Sequence, residues 1–445
     1  MARGKMVFPA DFRWGTATAS FQVEGNNSNS DWWRWEENGR ILHNHRSGLA
    51  SDWWANAERD LDMAAELGNN AHRLSLEWSR IEPEPSRFDQ AALTRYREIL
   101  TAMLARGIEP MVTLHHFSNP IWLTEKKDFN SDIVVDYFKR YVEKVVDTLG
   151  DLVPKWVTIN EPMVYIAFRY LTGEFPEPSQ TGMIAAFQAM RNMLRCHAAA
   201  FHAIKERQPQ AEVGLAKNIP IIQPFEEENW LDGWMSRRLH YLFNVLWMRS
   251  MTNGRFYWPA GREKVPHLAN SYDFIGINYY SRYYTQFPPP KTFVLQEWKP
   301  EAQVTDGNYG EVYPEGLFQA INLMMPYKKP IYITENGCPD VKDEIRPSFI
   351  LRHLREVWRA ISFNFPIMGY YHWSLVDNFE WHNGWTQRFG LLALDTDTQA
   401  RTLRQSGHLY GEICKTGTVS SEMVEKYAPQ LMDTLFPGHN PTPRM

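Results

Sequence analysis

The stretch "YITENGC", residues 332–338, decides the fold prediction. Apolar and β-branched residues lead straight into a carboxylate, Glu335. The apolar run is typical of a buried strand, and the acid marks the place where that strand ends. The same pattern occurs in "KWVTIN" (155–160), which is followed directly by Glu161 and a proline that cannot continue a central strand. Acids at the ends of buried strands predict a sheet whose strand ends form a site.

Short β-prone runs alternate with amphipathic helical segments along the whole chain. The predicted strands are 12–20, 71–78, 110–116, 155–160, 211–217, 273–280, 330–335 and 367–374. Helical patterns with glycine endings, such as 57–68, 93–107 and 132–150, lie between them. Eight β-then-α repeats predict the α/β class and a single (β/α)8 TIM barrel with elaborated βα loops, spanning 1–445.

The alternative to a barrel is a doubly wound parallel sheet. No GxGxxG motif follows an early strand, so the dinucleotide-binding form of that fold lacks its phosphate loop. No linker or change of composition separates two domains. The proline-rich stretch "FPPPKTF" (287–293) is interpreted as a surface loop.

Composition excludes several classes of protein. A balance of 47 Lys+Arg against 52 Asp+Glu gives a net charge of −5, so no nucleic-acid partner is expected. Three scattered cysteines suit a reducing compartment, and no window of about 18 apolar residues or signal peptide is found, so we expect a cytoplasmic protein that does not contact membranes. Aromatic residues make up 14%, which suits either a large core or a sugar site.

The two strand-end acids belong to predicted strands four and seven. In a barrel, the C-terminal ends of the strands form the active site, so Glu161 and Glu335 are predicted to face each other across the axis. A pair of carboxyl groups is the equipment for glycoside hydrolysis, where one protonates the leaving oxygen and the other attacks or activates water. Other predicted strand ends carry polar or aromatic groups as well, namely His115, Asn278, Tyr280 and Trp373.

Several long motifs then indicate a family. They are "FRWGTATASFQVEG" (12–25), "TINEP" (158–162), "GINYYSRYY" (276–284), "YITENG" (332–337), "HWSLVDNFEW" (372–381) and "RFGL" (388–391). In this order they resemble the retaining β-glycosidases of glycoside hydrolase family one, the β-glucosidase and β-galactosidase family. The resemblance runs from about residue 8 to about residue 411, and the segment 412–445 is predicted to lie outside the site.

The resemblance implies the catalytic roles. Glu335 is the expected nucleophile and Glu161 the acid/base, with carboxyl groups about 5–5.5 Å apart. Arg73 is expected to lower the pKa of Glu335, and Tyr280 to donate a hydrogen bond to the same carboxylate. Asn160 matches the position that binds the sugar 2-hydroxyl. The activity implied is a retaining exo-β-glycosidase, for which no cofactor and no metal are expected.

Sugar recognition is implied in the same way. The candidate binding residues are Gln22, His115, Asn160, Asn278, Tyr280, Trp373, Glu380, Trp381 and Phe389. A branch that hydrolyses phosphorylated glycosides is expected to replace Glu380, because a carboxylate repels phosphate. Since Glu380 is retained, the expected partner is an unphosphorylated small-molecule β-glycoside or oligosaccharide.

Other features leave alternatives open. The chain departs from many family members at His115–His116, Met163 and "YGE" (309–311), positions expected to border the leaving group. The aromatic stretch "SDWWRWEENG" (30–39) suits either the site entrance or plain packing. Glucose, galactose and fucose are equally compatible with the sequence, as is transglycosylation, and no oligomeric state is predicted. A non-catalytic carbohydrate-binding relative is the second hypothesis, although such proteins usually lack one of the two acids.

Overall fold

A computed structural model describes residues 4–287 and 298–437. Eight parallel strands form a closed barrel in chain order, β1 to β8. They are Arg13–Ala17, Ala71–Ser75, Glu109–His115, Lys155–Asn160, Glu212–Asn218, Phe274–Asn278, Ile331–Asn336 and Ile367–Trp373. The predicted (β/α)8 barrel is confirmed, with each of the eight strands inside or within one residue of its predicted range.

A long helix, or a group of helices, follows each barrel strand. These are Trp53–Glu66, Gln90–Ala105, Val134–Leu149, Met183–Arg207, the succession Trp230–His240, Tyr241–Val245 and Leu246–Asn253, then Glu315–Met324, Arg346–Ser362 and Gln405–Thr416. Their amphipathic sequences explain their packing. In Val134–Leu149, the buried residues recur every three or four positions, which turns one apolar stripe toward the barrel.

Shorter helices, turns and strands lie in the segments that connect or flank the barrel strands and the long helices. Short α-helices are Ser20–Val23, Asp31–Glu37, Trp78–Ile81, Ile121–Glu125, Pro162–Ala167, Ser421–Tyr427 and Met432–Leu435. Among the 3₁₀ and π turns are Leu42–Asn44, Asp128–Asn130, Gly150–Leu152, Phe168–Thr172, Asp306–Asn308, Met325–Tyr327, Trp381–Thr386 and Pro429–Leu431. Small two-stranded sheets pair Lys5–Val7 with Thr418–Ser420, Ile221–Pro224 with Arg282–Thr285, and Leu392–Leu394 with Arg401–Leu403.

The ends of neighbouring strands are held in a close register. Glu335 of β7 pairs with Asn278 of β6, so an acid and an amide lie side by side at the mouth of the barrel. Gly337 follows β7 at a place where no side chain fits, because an added Cβ would lie 1.8 Å from the carbonyl oxygen of Trp373. This contact explains the glycine of the "TENG" motif.

Three further sequence predictions concern the aromatic stretch 30–39, the proline-rich loop and membrane-spanning segments. The aromatic stretch 30–39 forms the helix Asp31–Glu37, in which Trp32 is fully buried and its ring lies 4.9 Å from that of Trp381. Residues 288–293 of the predicted surface loop lie outside the described residues. Within the two described ranges, no helix has both the length and the apolar composition needed to cross a membrane.

Candidate active site

The two acids lie at the C-terminal mouth of the barrel. Glu335 is the fifth residue of β7, whereas Glu161 follows β4 and immediately precedes the short helix Pro162–Ala167. Its backbone has φ 41° and ψ 58°, a left-handed conformation that is costly for a residue with a side chain. Its backbone N–H donates to the carbonyl of Ala216 at 2.8 Å, which fixes the turn.

Glu335 is held by one cation and one hydroxyl. Arg73 Nη1 donates to Glu335 Oε1 at 2.5 Å, and the Tyr280 hydroxyl donates to Oε2 at 2.7 Å. Arg73 is itself anchored, because its Nε donates to Thr113 Oγ1 at 3.0 Å and its Nη2 to Asn160 Oδ1 at 2.6 Å. The carboxylate therefore has little freedom to rotate.

Glu161 is connected to the same network through an amide. Asn278 Nδ2 donates to Glu161 Oε1 at 2.8 Å and also lies 3.1 Å from Asn160 Oδ1. The amide is oriented by Thr334, whose hydroxyl donates to Asn278 Oδ1 at 2.7 Å. One chain of hydrogen bonds thus connects Glu335, Arg73, Asn160 and Asn278 to Glu161.

The two carboxyl groups differ in how their charge is compensated. Burial and the neighbouring charge of Glu335 raise the pKa of Glu161 to about 8, so this group is protonated at neutral pH. Burial also raises the pKa of Glu335, and Arg73 and Tyr280 oppose that rise. The expected cation is present, but the net shift of Glu335 is upward rather than downward, because burial outweighs it.

A second cluster of polar groups lies near the ends of β1 and β8. Gln22 Nε2 donates to Glu380 Oε2 at 2.8 Å and to the carbonyl of Phe379 at 3.0 Å, whereas the buried Gln22 Oε1 has no partner among the described residues. Burial raises the pKa of Glu380 to about 8. Trp373 and Trp381 are both buried beside this cluster.

Two adjacent histidines at the end of the third strand differ in their surroundings. The ring of His115 packs against Phe129 and Tyr165, and its Nε2 bonds to Asn119, so no partner of His115 among the described residues is a predicted site residue. His116 lies there instead. His116 is buried, and its Nε2 is 3.0 Å from Asn160 Nδ2.

The surroundings of His116 are those of the sugar-binding candidates. Its ring lies 6.0 Å from that of Trp373 and 5.9 Å from that of Trp381. Burial holds its pKa well below the ordinary value, so the ring is neutral, and its Nδ1 has no hydrogen-bond partner in the described part of the chain. Position 116 was expected to border the leaving group, whereas the structure places His116 beside Asn160, Trp373 and Trp381.

Comparisons with known proteins identify the family of the chain. The profile of the family described as Glycosyl hydrolase family 1 matches residues 4–418. The chain belongs to glycosyl hydrolase family 1. The family 1 assignment agrees with the resemblance found in the sequence motifs.

Family 1 relatives match over almost their whole length. Beta-glucosidase A of Thermotoga maritima is 30% identical over 438 residues, covering 92% of this chain and 98% of the relative. A solved beta-glycosidase from Pyrococcus horikoshii superposes with a TM-score of 0.88 at 36% identity, covering 95% and 98% of the two chains. The Thermotoga maritima beta-glucosidase in complex with glucoimidazole gives a TM-score of 0.85 at 30% identity, with 93% and 99% covered.

The remaining candidates of this family 1 site lie around Tyr280. The ring of Phe389 is fully buried, 6.2 Å from Tyr280 and 5.1 Å from Tyr309, so Phe389 supports the tyrosine that bonds Glu335. Met163, one of the departures from the usual family 1 pattern, is 8% exposed in the helix after Glu161. Tyr309 therefore lies on the side of Glu335, whereas Met163 lies on the side of Glu161.

Three contributors were missed in the sequence. Thr113 anchors Arg73, and the Asn218 side chain hydrogen-bonds to Glu161, which lowers the pKa of that acid. Asn218 follows the pattern of the other strand-end asparagines, but it lies one residue beyond the predicted strand 211–217. Burial, together with the charges of Glu161 and Glu174, raises the pKa of Tyr283 to about 12, so this tyrosine lies near Glu161.

In the described part of this family 1 barrel, residues suited to holding a metal are not clustered. Among the described residues, no group of three or more His, Cys, Asp or Glu side chains could hold a metal ion. The arrangement instead provides one acid that is protonated at neutral pH, a second acid paired with Arg73, and surrounding hydrogen-bonding and aromatic groups. Such a site can bind an acetal with one carboxyl group on either side of the bond and cleave that bond.

Proposed function

We propose that this protein is a retaining exo-β-glycosidase that removes terminal, non-reducing β-D-glucosyl residues, and also β-galactosyl and β-fucosyl residues, from small glycosides and oligosaccharides. One observation carries the proposal. Glu335 accepts hydrogen bonds from Arg73 and Tyr280 at the mouth of the barrel, while the pKa of Glu161 in the same network is about 8. One acid is thereby equipped to attack and the other to donate a proton.

The first half-reaction needs Glu335 ionised and Glu161 protonated. Glu335 attacks the anomeric carbon as a carboxylate, and the bond to the leaving oxygen breaks as Glu161 gives that oxygen its proton. The products are a covalent glycosyl ester on Glu335 and the free aglycone. Asn160, held by Arg73 at 2.6 Å, supplies an amide for the 2-hydroxyl, where hydrogen bonding strengthens as the oxocarbenium-like transition state forms.

The second half-reaction reverses these roles. The ester on Glu335 is neutral, so the charge that raised the pKa of Glu161 is gone and Glu161 becomes a base. It takes a proton from water, the water oxygen attacks the anomeric carbon, and the ester bond breaks to release the sugar with its original β configuration. A second sugar in place of water would give transglycosylation.

Recognition of the terminal sugar is proposed to involve the surrounding hydrogen-bonding and aromatic groups. Gln22 and Glu380 bind hydroxyls, Trp373 and Trp381 supply ring faces, and His116 takes the place expected of His115. The buried and unpartnered Gln22 Oε1 and His116 Nδ1 support this assignment, since buried polar atoms are normally hydrogen-bonded. An unphosphorylated glycone remains the expectation from the motif that contains Glu380, and relatives named beta-glucosidase and beta-galactosidase support glucose and galactose.

A cytoplasmic location is also proposed. It is supported by three free, buried cysteines, which suit a reducing compartment. The proposed partner is a small-molecule glycoside, with no nucleic acid and no membrane surface involved in the reaction. The chain from 1 to 445 is proposed to act as one catalytic domain.

The proposal is tested with a panel of aryl α- and β-glycosides. We expect turnover of β-glycosides alone, loss of turnover in Glu335→Ala, and a loss of about 10²–10⁴-fold in Glu161→Ala that azide partly reverses, with a β-glycosyl azide as product. Following the anomers by NMR should show net retention. Absence of turnover for every glycoside, together with saturable sugar binding, would instead establish the non-catalytic carbohydrate-binding alternative.

A further inference from the structure

The connection between β5 and β6 carries a surface cavity that the glycosidase chemistry does not use. The cavity has a volume of about 420 Å³ and is lined by four arginines, together with Tyr257 and the 67% exposed Trp258. The arginines are Arg238, Arg249, Arg255 and Arg262, and each is exposed to solvent. A protein of net charge −5 thus concentrates four positive charges around one opening.

The four guanidinium groups differ in their partners from surface arginines that form ion pairs. Arg97 and Arg106, for example, each have a carboxylate as a direct partner. None of the four cavity arginines forms an ion pair with any carboxylate in the described part of the chain. The nearby Glu263 accepts instead from the backbone N–H of Arg262, at 3.0 Å. Within the described residues, no direct ion pair therefore neutralises these four guanidinium groups.

Aromatic rings hold three of these arginines in place. The guanidinium of Arg249 lies 4.0 Å from the centroid of Tyr257, and that of Arg255 lies 5.7 Å from the same ring. Arg238 lies 5.6 Å from the centroid of Trp234. A cation–π contact uses the flat face of a guanidinium and leaves the N–H groups at its edge available as donors.

We propose that this cavity binds the phosphate group of a small phosphorylated molecule. A phosphate dianion offers three strong acceptor oxygens around one centre, and the N–H fork of arginine matches this geometry. Several arginines around one cavity can bind the three oxygens of a phosphate. A carboxylate ligand offers them only two oxygens, so it suits this cavity less well. A volume of about 420 Å³ is within the range of small-molecule sites and leaves room for the organic part of the ligand beside Trp258.

Calorimetric titration with inorganic pyrophosphate at low salt tests the proposal. The double variant Arg249→Gln/Arg255→Gln removes two of the four charges, and Arg97→Gln/Arg106→Gln is a matched control with the same change in net charge. We expect saturable binding at about 1 mM or below for the wild type. Affinity should fall at least about tenfold in the first variant and change less than about twofold in the control. All three proteins should show the same circular dichroism spectrum.

Two outcomes would overturn the proposal. The first is the absence of saturable binding of both pyrophosphate and phospholipid. The second is an equal loss of affinity in the two double variants, which would show a general effect of net charge. Sedimentation with vesicles distinguishes two sources of phosphate. Binding to phosphatidylglycerol vesicles but not to phosphatidylcholine vesicles, lost only in Arg249→Gln/Arg255→Gln, would identify a lipid headgroup as the phosphate ligand. Binding of pyrophosphate without vesicle binding would identify a free phosphorylated metabolite.

Discussion

Arg73 Nη1 lies 2.5 Å from Glu335 Oε1, and the side chains of both residues are almost fully buried, at 1% and 4% exposure. The two residues are 262 positions apart in the chain. Because so little of either side chain reaches solvent, bulk water screens their interaction only weakly. The charge of the proposed nucleophile therefore depends on one arginine.

Replacing Arg73 by methionine should expose this dependence. Arg73 lowers the pKa of Glu335, so its loss raises that pKa, and the acidic limb of the pH profile of kcat/KM should move to higher pH. We expect kcat to fall by about 10²–10³-fold. Arg13→Met is the matched control, because Arg13 pairs with Glu109 at the opposite ends of the strands. An unshifted acidic limb in Arg73→Met would contradict this role.

The basic limb of the pH profile should report Glu161. Its pKa of about 8 means that the proton needed by the leaving group is present at neutral pH and is lost as the pH rises through about 8. In Glu161→Gln, a 2,4-dinitrophenyl β-glucoside needs no acid for departure of its aglycone, so the basic limb of kcat/KM should disappear. Persistence of that limb in the variant would assign it to another group.

The two adjacent histidines provide a matched pair of variants. His116→Gln removes a ring that contacts Asn160 and both site tryptophans, and we expect kcat/KM to fall by about 10–100-fold, since one buried polar contact is lost. His115→Gln should lower Tm through its contacts with Phe129 and Asn119 and leave kcat/KM nearly unchanged. Steady-state kinetics and thermal unfolding of both variants separate these effects, and the reverse pattern would restore the original expectation.

A buried charge cluster outside the acid pair should control stability. Arg169 is fully buried between Asp31 and Asp128, at 2.9 and 2.7 Å. Arg169→Met leaves both carboxylates unpaired, and we expect the free energy of unfolding to fall by about 3–5 kcal/mol. Urea denaturation measures this change. Exposed Arg87→Met, which breaks the pair with Glu84, is the control and should change stability by less than about 0.5 kcal/mol.

The pH dependence of that deficit has a definite sign. Burial already raises the pKa of Asp31 in the folded state, and removing Arg169 raises it further. A folded-state pKa above the unfolded value favours folding when the group is protonated, so the deficit should shrink as the pH falls and grow as it rises. A deficit that is independent of pH would assign the loss of stability to packing rather than charge.

The barrel could be predicted because its signals are local. "KWVTIN" coincides with the strand Lys155–Asn160, since a buried strand needs only a short apolar run with a polar residue at its end. The choice between His115 and His116 is different in kind. Both residues are histidines, so the residue type does not distinguish them. The path of the chain as it leaves β3, where Phe117 has a φ of 68°, determines which histidine faces the site.

The electrostatics also depended on information that the sequence does not contain. The cation near Glu335 was predicted from a motif, but the net pKa shift depends on burial, which only the folded chain determines. Asn218 escaped notice because strand ends are uncertain by one or two residues. Thr113 was missed for another reason: nothing in a lone threonine inside a strand indicates that it anchors a guanidinium.

The hydrogen-bond chain around the acids has a consequence for how the protein matures. Its members come from β2, β4, β6 and β7, with Thr113 from β3, and the Arg73–Glu335 contact joins residues 262 positions apart. Long-range contacts of this kind form late, because loop closure must come first. During synthesis, no part of the site is complete before β7 has left the ribosome. A nascent chain halted in the first six strands carries the proposed acid/base, Glu161, without the proposed nucleophile, Glu335, so we expect enzyme activity only once the barrel has closed.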